Sequence, residues 1–126
     1  MKINIIGIEP QYKVYKMTEN IDNMYYIGKT KAPLEERMNH HRHTKGETQL
    51  YCDIHFADVG FRNVTVDIID VANNDEELDI KEKEHIKSCY ETDKSHMLNR
   101  YGELRKKRVI KPQISIEKFL NEDLNF

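Results

Sequence analysis

The chain has 126 residues, the length of one domain, and 38% of them are hydrophobic, which is enough for a single modest core. Its formal net charge of −2 gives no sign of a nucleic-acid binder, and a charged fraction of 33% is high but typical of a folded protein. Two cysteines with no short spacing between them exclude a disulfide scaffold and a cysteine-built zinc site, and they favour a reduced, intracellular setting.

Residues 1–8 predict a short N-terminal strand, which Pro10 interrupts. This apolar run is too short for a signal peptide and far too short to span a bilayer. We therefore expect an intracellular protein that is not secreted and has no membrane partner.

Two apolar, β-prone blocks predict a hairpin. They are Lys-Val-Tyr at residues 13–15 and Tyr-Ile-Gly at residues 26–28, and the polar stretch 18–23 between them is typical of a turn. We predict strands over residues 12–18 and 24–28, so that the tyrosines of both blocks lie on one hairpin.

Two helices are predicted after the hairpin. Pro33 occupies a position where helices begin, and two glutamates follow it, so we predict a helix over residues 33–44. A second helix is predicted over residues 48–59, ending at Gly60. Its apolar positions at helical spacing are Leu50, Ile54 and Ala57.

The second half of the chain predicts one strand and two further helices. Apolar and polar residues alternate over residues 63–71, which indicates a strand. A long helix with an acidic first turn is predicted over residues 75–90, capped by Asn74 or Asp75, and a short one over residues 115–120. The order β-β-α-α-β-α predicts a small α+β domain in which helices pack on an antiparallel hairpin.

Arg37 and His41 are four residues apart on the first predicted helix, so they share one face, one turn apart. Arginine suits a phosphate because its planar fork donates several hydrogen bonds, and histidine can relay a proton near neutral pH. A solvated polar face is the better explanation when the helix is considered alone. A zinc site is disfavoured, because His40 and His43 point in other directions than His41 and no cysteine stands nearby.

The long predicted helix carries a buried stripe at four-residue spacing, formed by Leu78, Ile86 and Tyr90. Glu82 occupies the remaining position of that stripe. A carboxylate there is expensive unless it is paired or bound to a metal, whereas Glu84 points to the opposite side, where a glutamate is unremarkable. Two kinds of interpretation of Glu82 stay open: it is a metal ligand, or it is structural, as part of a buried ion pair or as a residue on the rim of the core.

Tyr15 and Tyr26 on the hairpin complete this set. A phenol can orient a water, act as a base when a neighbour takes its proton, or hydrogen-bond a phosphate oxygen. Ordinary cross-strand aromatic packing explains either residue taken singly.

Taken together, these features resemble the GIY-YIG nuclease superfamily over about residues 13–99. The block at residues 13–15 stands where the family has Gly-Ile-Tyr, with lysine in place of glycine, and the block at residues 26–28 matches the second signature letter for letter. The remaining matches, in the family's order, are Arg37, His41, Glu82 and Asn99.

The resemblance implies a small mixed sheet of three strands flanked by helices, and a metal-dependent DNA endonuclease that hydrolyses phosphodiester bonds, one strand per active site. It implies that Glu82 holds one divalent cation, Mg²⁺ or Mn²⁺, and that Arg37 and Tyr26 hold the scissile phosphate. Tyr15 would activate the attacking water while His41 takes its proton. The alternative is a non-catalytic nucleic-acid-binding or adaptor module that retains the fold.

Further substrate contacts are expected from Lys29, from Asn99 and from a basic run near the C-terminus. That run contains Arg105, Lys106, Lys107 and Arg108. It could be a DNA-contacting arm or a solvated tail that gives only non-specific attraction. We assign residues 1–126 to a single domain, with a core at about residues 12–100 and a basic extension over residues 101–126. A homodimer or a partner protein could supply target specificity.

Overall fold

A mixed sheet forms the centre of the protein in a computed structural model that describes residues 1–46 and 49–99. Its four strands are β1 (Lys2–Asn4), β2 (Tyr12–Glu19), β3 (Tyr25–Thr30) and β4 (Val64–Ala72). They lie side by side in the order β1-β4-β2-β3. Strand β2 pairs antiparallel with both β3 and β4, and β1 pairs parallel with β4.

The predicted α+β class and the predicted hairpin are therefore confirmed, but the strand count of three is wrong. The fourth strand is β1, where Ile3 is opposite Val66. This strand is only three residues long, and it is held by a partner more than sixty positions away, near Val66. The strand predicted over residues 1–8 is therefore confirmed in part, but the local sequence did not show that it joins the sheet beside β4.

Helices cover both faces of the sheet. They are α1 (Leu34–His43), α2 (Tyr51–Val59) and α3 (Asp75–Asp93). On one face, Tyr15 and Met17 of β2 pack in a buried cluster with residues of α1 and α2, such as Met38 and Phe56. On the other face, Val14 packs with residues of α3 in a second cluster. The alternation of side chains along β2 thus separates two core layers.

The second predicted helix is confirmed as α2, but the side chains that it buries are not the apolar ones that predicted it. The helix buries Cys52, Asp53 and Phe56, whereas Ile54 is 53% exposed. Phe56 offers more apolar surface than Ile54, and Asp53 is tolerated in the core because it has a buried partner. Because α2 turns this face toward the core, Asp53 lies in the candidate site.

Helix α3 begins as predicted, because the Asn74 side chain accepts a hydrogen bond from the Glu77 amide at 2.8 Å. The helix ends three residues beyond the predicted limit, at Asp93. The chain then returns to β3, where the Leu98 amide donates to the Tyr25 carbonyl at 2.6 Å. The predicted helix over residues 115–120 lies outside the described residues.

Candidate active site

The hydroxyl of Tyr15 is the centre of the site. Tyr15 lies on β2 with 0% of its surface exposed, and two residues of α1 reach its oxygen. Arg37 Nε donates to Tyr15 Oη at 3.1 Å, and His41 Nε2 lies 2.8 Å from the same atom. Arg37 can only donate, so the hydroxyl oxygen accepts there and remains able to direct its own hydrogen to His41.

His41 is held on its other side by a residue that the sequence did not reveal. His41 Nδ1 lies 2.7 Å from Asp53 Oδ1, and the two side chains are 0% and 2% exposed. Asp53 comes from α2, and its position next to Cys52 and three residues before Phe56 was the available signal. An aspartate between apolar residues on one helix face requires a buried partner, and a nearby histidine is a suitable one.

Tyr26 closes the site from β3. Its ring centroid is 6.4 Å from that of Tyr15 and 5.7 Å from that of His41.

Gly28, two residues after Tyr26, leaves the space that the Tyr15 hydroxyl occupies. A Cβ at Gly28 would lie 2.6 Å from Tyr15 Oη. The second signature therefore requires glycine here, because the Tyr15 hydroxyl approaches the backbone too closely for any side chain.

Burial determines the protonation of both tyrosines. It raises the pKa of Tyr15 far above the ordinary phenol value, and the Arg37 charge only partly opposes this. Burial also raises the pKa of Tyr26, with smaller contributions from Tyr15, Cys52 and Glu82. Both phenols are therefore protonated at neutral pH, and Tyr26 is close enough to Glu82 to feel its charge.

Glu82 lies on α3 between the buried Leu78 and Ile86, as the stripe predicted, and it is partly buried while Glu84 is exposed. Burial raises the pKa of the Glu82 carboxyl, and Lys29 is the strongest opposing charge. Within residues 1–46 and 49–99, no hydrogen bond or salt bridge reaches this carboxylate. A partly buried carboxylate without a direct partner suits a hard divalent cation, which prefers oxygen ligands.

Among the residues that the structure describes, two other groups of side chains have the donor atoms of a metal site. His41, Cys52 and Asp53 place one donor atom each within 4.8 Å of one another, so the expectation that no cysteine stands near His41 is wrong in three dimensions. Both imidazole nitrogens, however, are engaged by Tyr15 and Asp53. His40 and His43 are exposed and take no part in this cluster.

The second group consists of Glu19, Asp22 and His55. The Glu19 carboxylate accepts from the amides of Ile21 and Asp22, both at 2.7 Å, and its other oxygen is 2.7 Å from His55 Nε2. These contacts hold the turn between β2 and β3 against α2. They give Glu19 a structural role.

The residues expected to contact substrate differ in their surroundings. Asn99 accepts from the Ile27 amide at 2.9 Å and donates to the Ile27 carbonyl at 2.8 Å, so it supports β3 between Tyr26 and Gly28. Lys29 lies 2.6 Å from Asp79 on α3. The run with Arg105, Lys106, Lys107 and Arg108 lies outside the described residues. Substrate contact by all these residues stays a prediction.

The lysine that replaces the signature glycine has a structural explanation. Lys13 is 1% exposed, and its Nζ lies 2.8 Å from Glu9 and donates to the carbonyls of Pro10 and Gln11. Glu9 also accepts from the Leu34 amide at 2.7 Å, at the start of α1. Lys13 therefore links β2 to the helix that carries the site.

The fold brings the hydroxyl of Tyr15 into hydrogen-bond contact with Arg37 and His41, and the family match that follows makes this a nuclease-type domain. The family model of the GIY-YIG catalytic domain matches residues 11–95, and the chain belongs to this family. No match emerged among curated proteins or among solved structures. In the part of the chain that the structure describes, no helix has the length and apolar character needed to cross a bilayer.

Proposed function

We propose that this protein is a metal-dependent DNA endonuclease that hydrolyses phosphodiester bonds, one strand per active site. The observation that carries the proposal is the Tyr15 hydroxyl, which is bonded by both Arg37 and His41. A fixed positive charge and a proton acceptor on one phenol are what hydrolysis of a phosphodiester needs.

Arg37 is suited to holding the scissile phosphate. Its Nε is used on Tyr15, and no described residue hydrogen-bonds to its two terminal nitrogens. Those nitrogens can form two parallel bonds to phosphate oxygens and stabilise the charge that develops in the transition state. Tyr26, on the neighbouring strand, supplies a phenol that can donate to another phosphate oxygen.

Tyr15 and His41 move the proton. Since burial keeps the phenol protonated, Tyr15 accepts a proton from the attacking water only as its own proton passes to His41 Nε2. The resulting hydroxide attacks phosphorus, the bond between phosphorus and the 3′ oxygen breaks, and the leaving 3′ oxygen takes up a proton from water. Tyr15 is fully buried beneath Arg37, so we infer that the guanidinium moves toward the bound phosphate before water reaches the hydroxyl.

Glu82 is the residue that would hold the metal, Mg²⁺ or Mn²⁺. When bound, such an ion supplies Lewis-acid stabilisation of the phosphate and of the leaving oxygen. The lack of a direct partner for this carboxylate among the described residues supports the assignment. A module that only binds nucleic acid has no use for a carboxylate on the buried stripe of α3, where it destabilises the fold.

Nicking of supercoiled plasmid and of branched DNA, with Mg²⁺ or Mn²⁺, tests the proposal. We expect cleavage by the wild type, none by Glu82→Gln, and near-normal DNA binding by that variant. Glu84→Gln is the matched control, because Glu84 is exposed on the same helix, and it should cleave normally. Intact DNA binding without cleavage of any substrate would favour a non-catalytic nucleic-acid-binding or adaptor module.

A further inference from the structure

Asp53 is a buried aspartate whose side chain contacts His41, and the mechanism above gives it no role. We propose that Asp53 is a positioning residue, which fixes the ring of His41 in the tautomer that accepts the proton of Tyr15. This inference rests on the proposed function, because the proton transfer belongs to that reaction.

The hydrogen bonds along this chain of residues allow one neutral arrangement. Asp53 Oδ1 lies 2.7 Å from His41 Nδ1, and an ionised carboxylate can only accept, so Nδ1 carries the hydrogen. Nε2 is then left with its lone pair toward Tyr15 Oη, 2.8 Å away. In the other tautomer, an imidazole lone pair would face the carboxylate, and two donors would meet at Tyr15.

The charges around His41 give Asp53 a second effect during the reaction. Arg37 shares the Tyr15 hydroxyl with His41, so an imidazolium would form close to a fixed positive charge. The other neighbours are the Tyr26 ring, with its centroid 5.7 Å from that of His41, and Cys52, whose Sγ donates to Asp53 at 3.6 Å. Asp53 is the carboxyl group among these neighbours, and its hydrogen bond to Nδ1 places it to stabilise the imidazolium in a water-excluded site.

The first experiment reads the tautomer directly, without any cleavage. Long-range ¹H–¹⁵N spectra of the wild-type protein should show His41 protonated at Nδ1 and unprotonated at Nε2. In Asp53→Asn these signals should shift, since an amide can present either a donor or an acceptor to the ring. An Nε2-protonated ring in the wild type, or unchanged His41 signals in Asp53→Asn, would overturn the proposal even if the protein proves to have no nuclease activity.

The second experiment measures nicking rates at saturating DNA. Asp53→Asn should lower kcat by about a hundredfold, less than the roughly 10⁴-fold loss at the orienting aspartate of a serine-protease triad, because Arg37 and the metal are retained. The KM for DNA should be unchanged. Asp58→Asn, an exposed aspartate on the same helix, is the matched control and should keep the wild-type rate.

A double-mutant cycle separates positioning from a general effect on the fold. If Asp53 acts through His41, Asp53→Asn should cost no further rate in a His41→Ala background. An equal loss in both backgrounds, or a loss expressed only in KM, would contradict the positioning role. Absence of nicking by the wild type itself would instead count against the proposed function.

Discussion

Gly28 and Tyr15 lie directly opposite each other on β3 and β2, and the phenol of Tyr15 crosses the space that a side chain at residue 28 would fill. A Cβ on Gly28 would lie 2.6 Å from the hydroxyl oxygen and 2.7 Å from the ring carbon that bears it. The ring is fully buried and cannot retreat into solvent. The position of the central hydroxyl therefore depends on the absence of one methyl group.

Gly28→Ala should displace this hydroxyl from Arg37 and His41. We expect a loss of about 1–3 kcal/mol in the free energy of unfolding, as for overpacking of a core, together with at least a tenfold fall in nicking rate. Gly46→Ala is the control, because a Cβ there meets no atom within 4 Å and its cost comes only from a φ of +82°. Full activity of Gly28→Ala, measured beside chemical denaturation, would show that Tyr15 has another place to go.

The hairpin and the phase of α3 could be predicted because their signals are local. Glu82 and Glu84 differ by about 200° around one helix, so a single stripe of apolar residues decides which of them faces the sheet. The bounds of α1, predicted over residues 33–44 and found at Leu34–His43, follow from Pro33 in the same way.

The place of β1 in the sheet and the contact between Asp53 and His41 could not be predicted, because each depends on a distant partner. The pairing of Ile3 with Val66 joins positions that are far apart in the sequence. Asp53 is stable in the core only because His41, on another helix, meets its carboxylate, and no periodicity within α2 encodes that contact. A strand pairing and a side-chain contact of this range can be recognised only in the folded structure, where the elements are packed together.

Glu82 should make stability depend on pH in metal-free buffer. Burial gives its carboxyl a higher pKa in the folded chain than in the unfolded one. Ionisation of this carboxyl therefore has no effect on the free energy of unfolding while the group is protonated in both states. It lowers that free energy as the pH rises through the folded pKa. Glu82→Gln should melt above the wild type near pH 7, and the two should converge below about pH 4.

The exposed Glu84 serves again as the control for this comparison, since Glu84→Gln should show no such pH-dependent gain. Melting temperatures measured across the pH range in the presence of a chelator give the answer. A stability difference between Glu82→Gln and wild type that is constant with pH would mean that ionisation of Glu82 does not oppose folding.

Arg37 should contribute charge and geometry together. Its change to Ala should cost on the order of a hundredfold or more in nicking rate, since it removes a charge-stabilising donor. Arg37→Lys should recover only part of the rate, because lysine lacks the planar fork that binds two phosphate oxygens. Single-turnover rates at saturating DNA measure both variants, and complete rescue by lysine would reduce the role of Arg37 to its charge.

The basic run near the C-terminus should act through charge rather than sequence. Neutralising Arg105, Lys106, Lys107 and Arg108 together should weaken DNA binding most at low salt, and each lost phosphate contact should flatten the salt dependence by about one unit of slope. Titrations of DNA binding at several salt concentrations measure this slope. An unchanged slope would leave substrate binding to the face that carries Arg37.

Removal of the central hydroxyl tests the account most directly. Tyr15→Phe keeps the buried ring that fills the core and deletes only the atom to which Arg37 and His41 are bonded. With Mg²⁺ and supercoiled plasmid, the variant should retain its fold and DNA binding, and its nicking rate should fall by about a hundredfold or more. Nicking by a folded Tyr15→Phe at the wild-type rate would contradict the proposed mechanism.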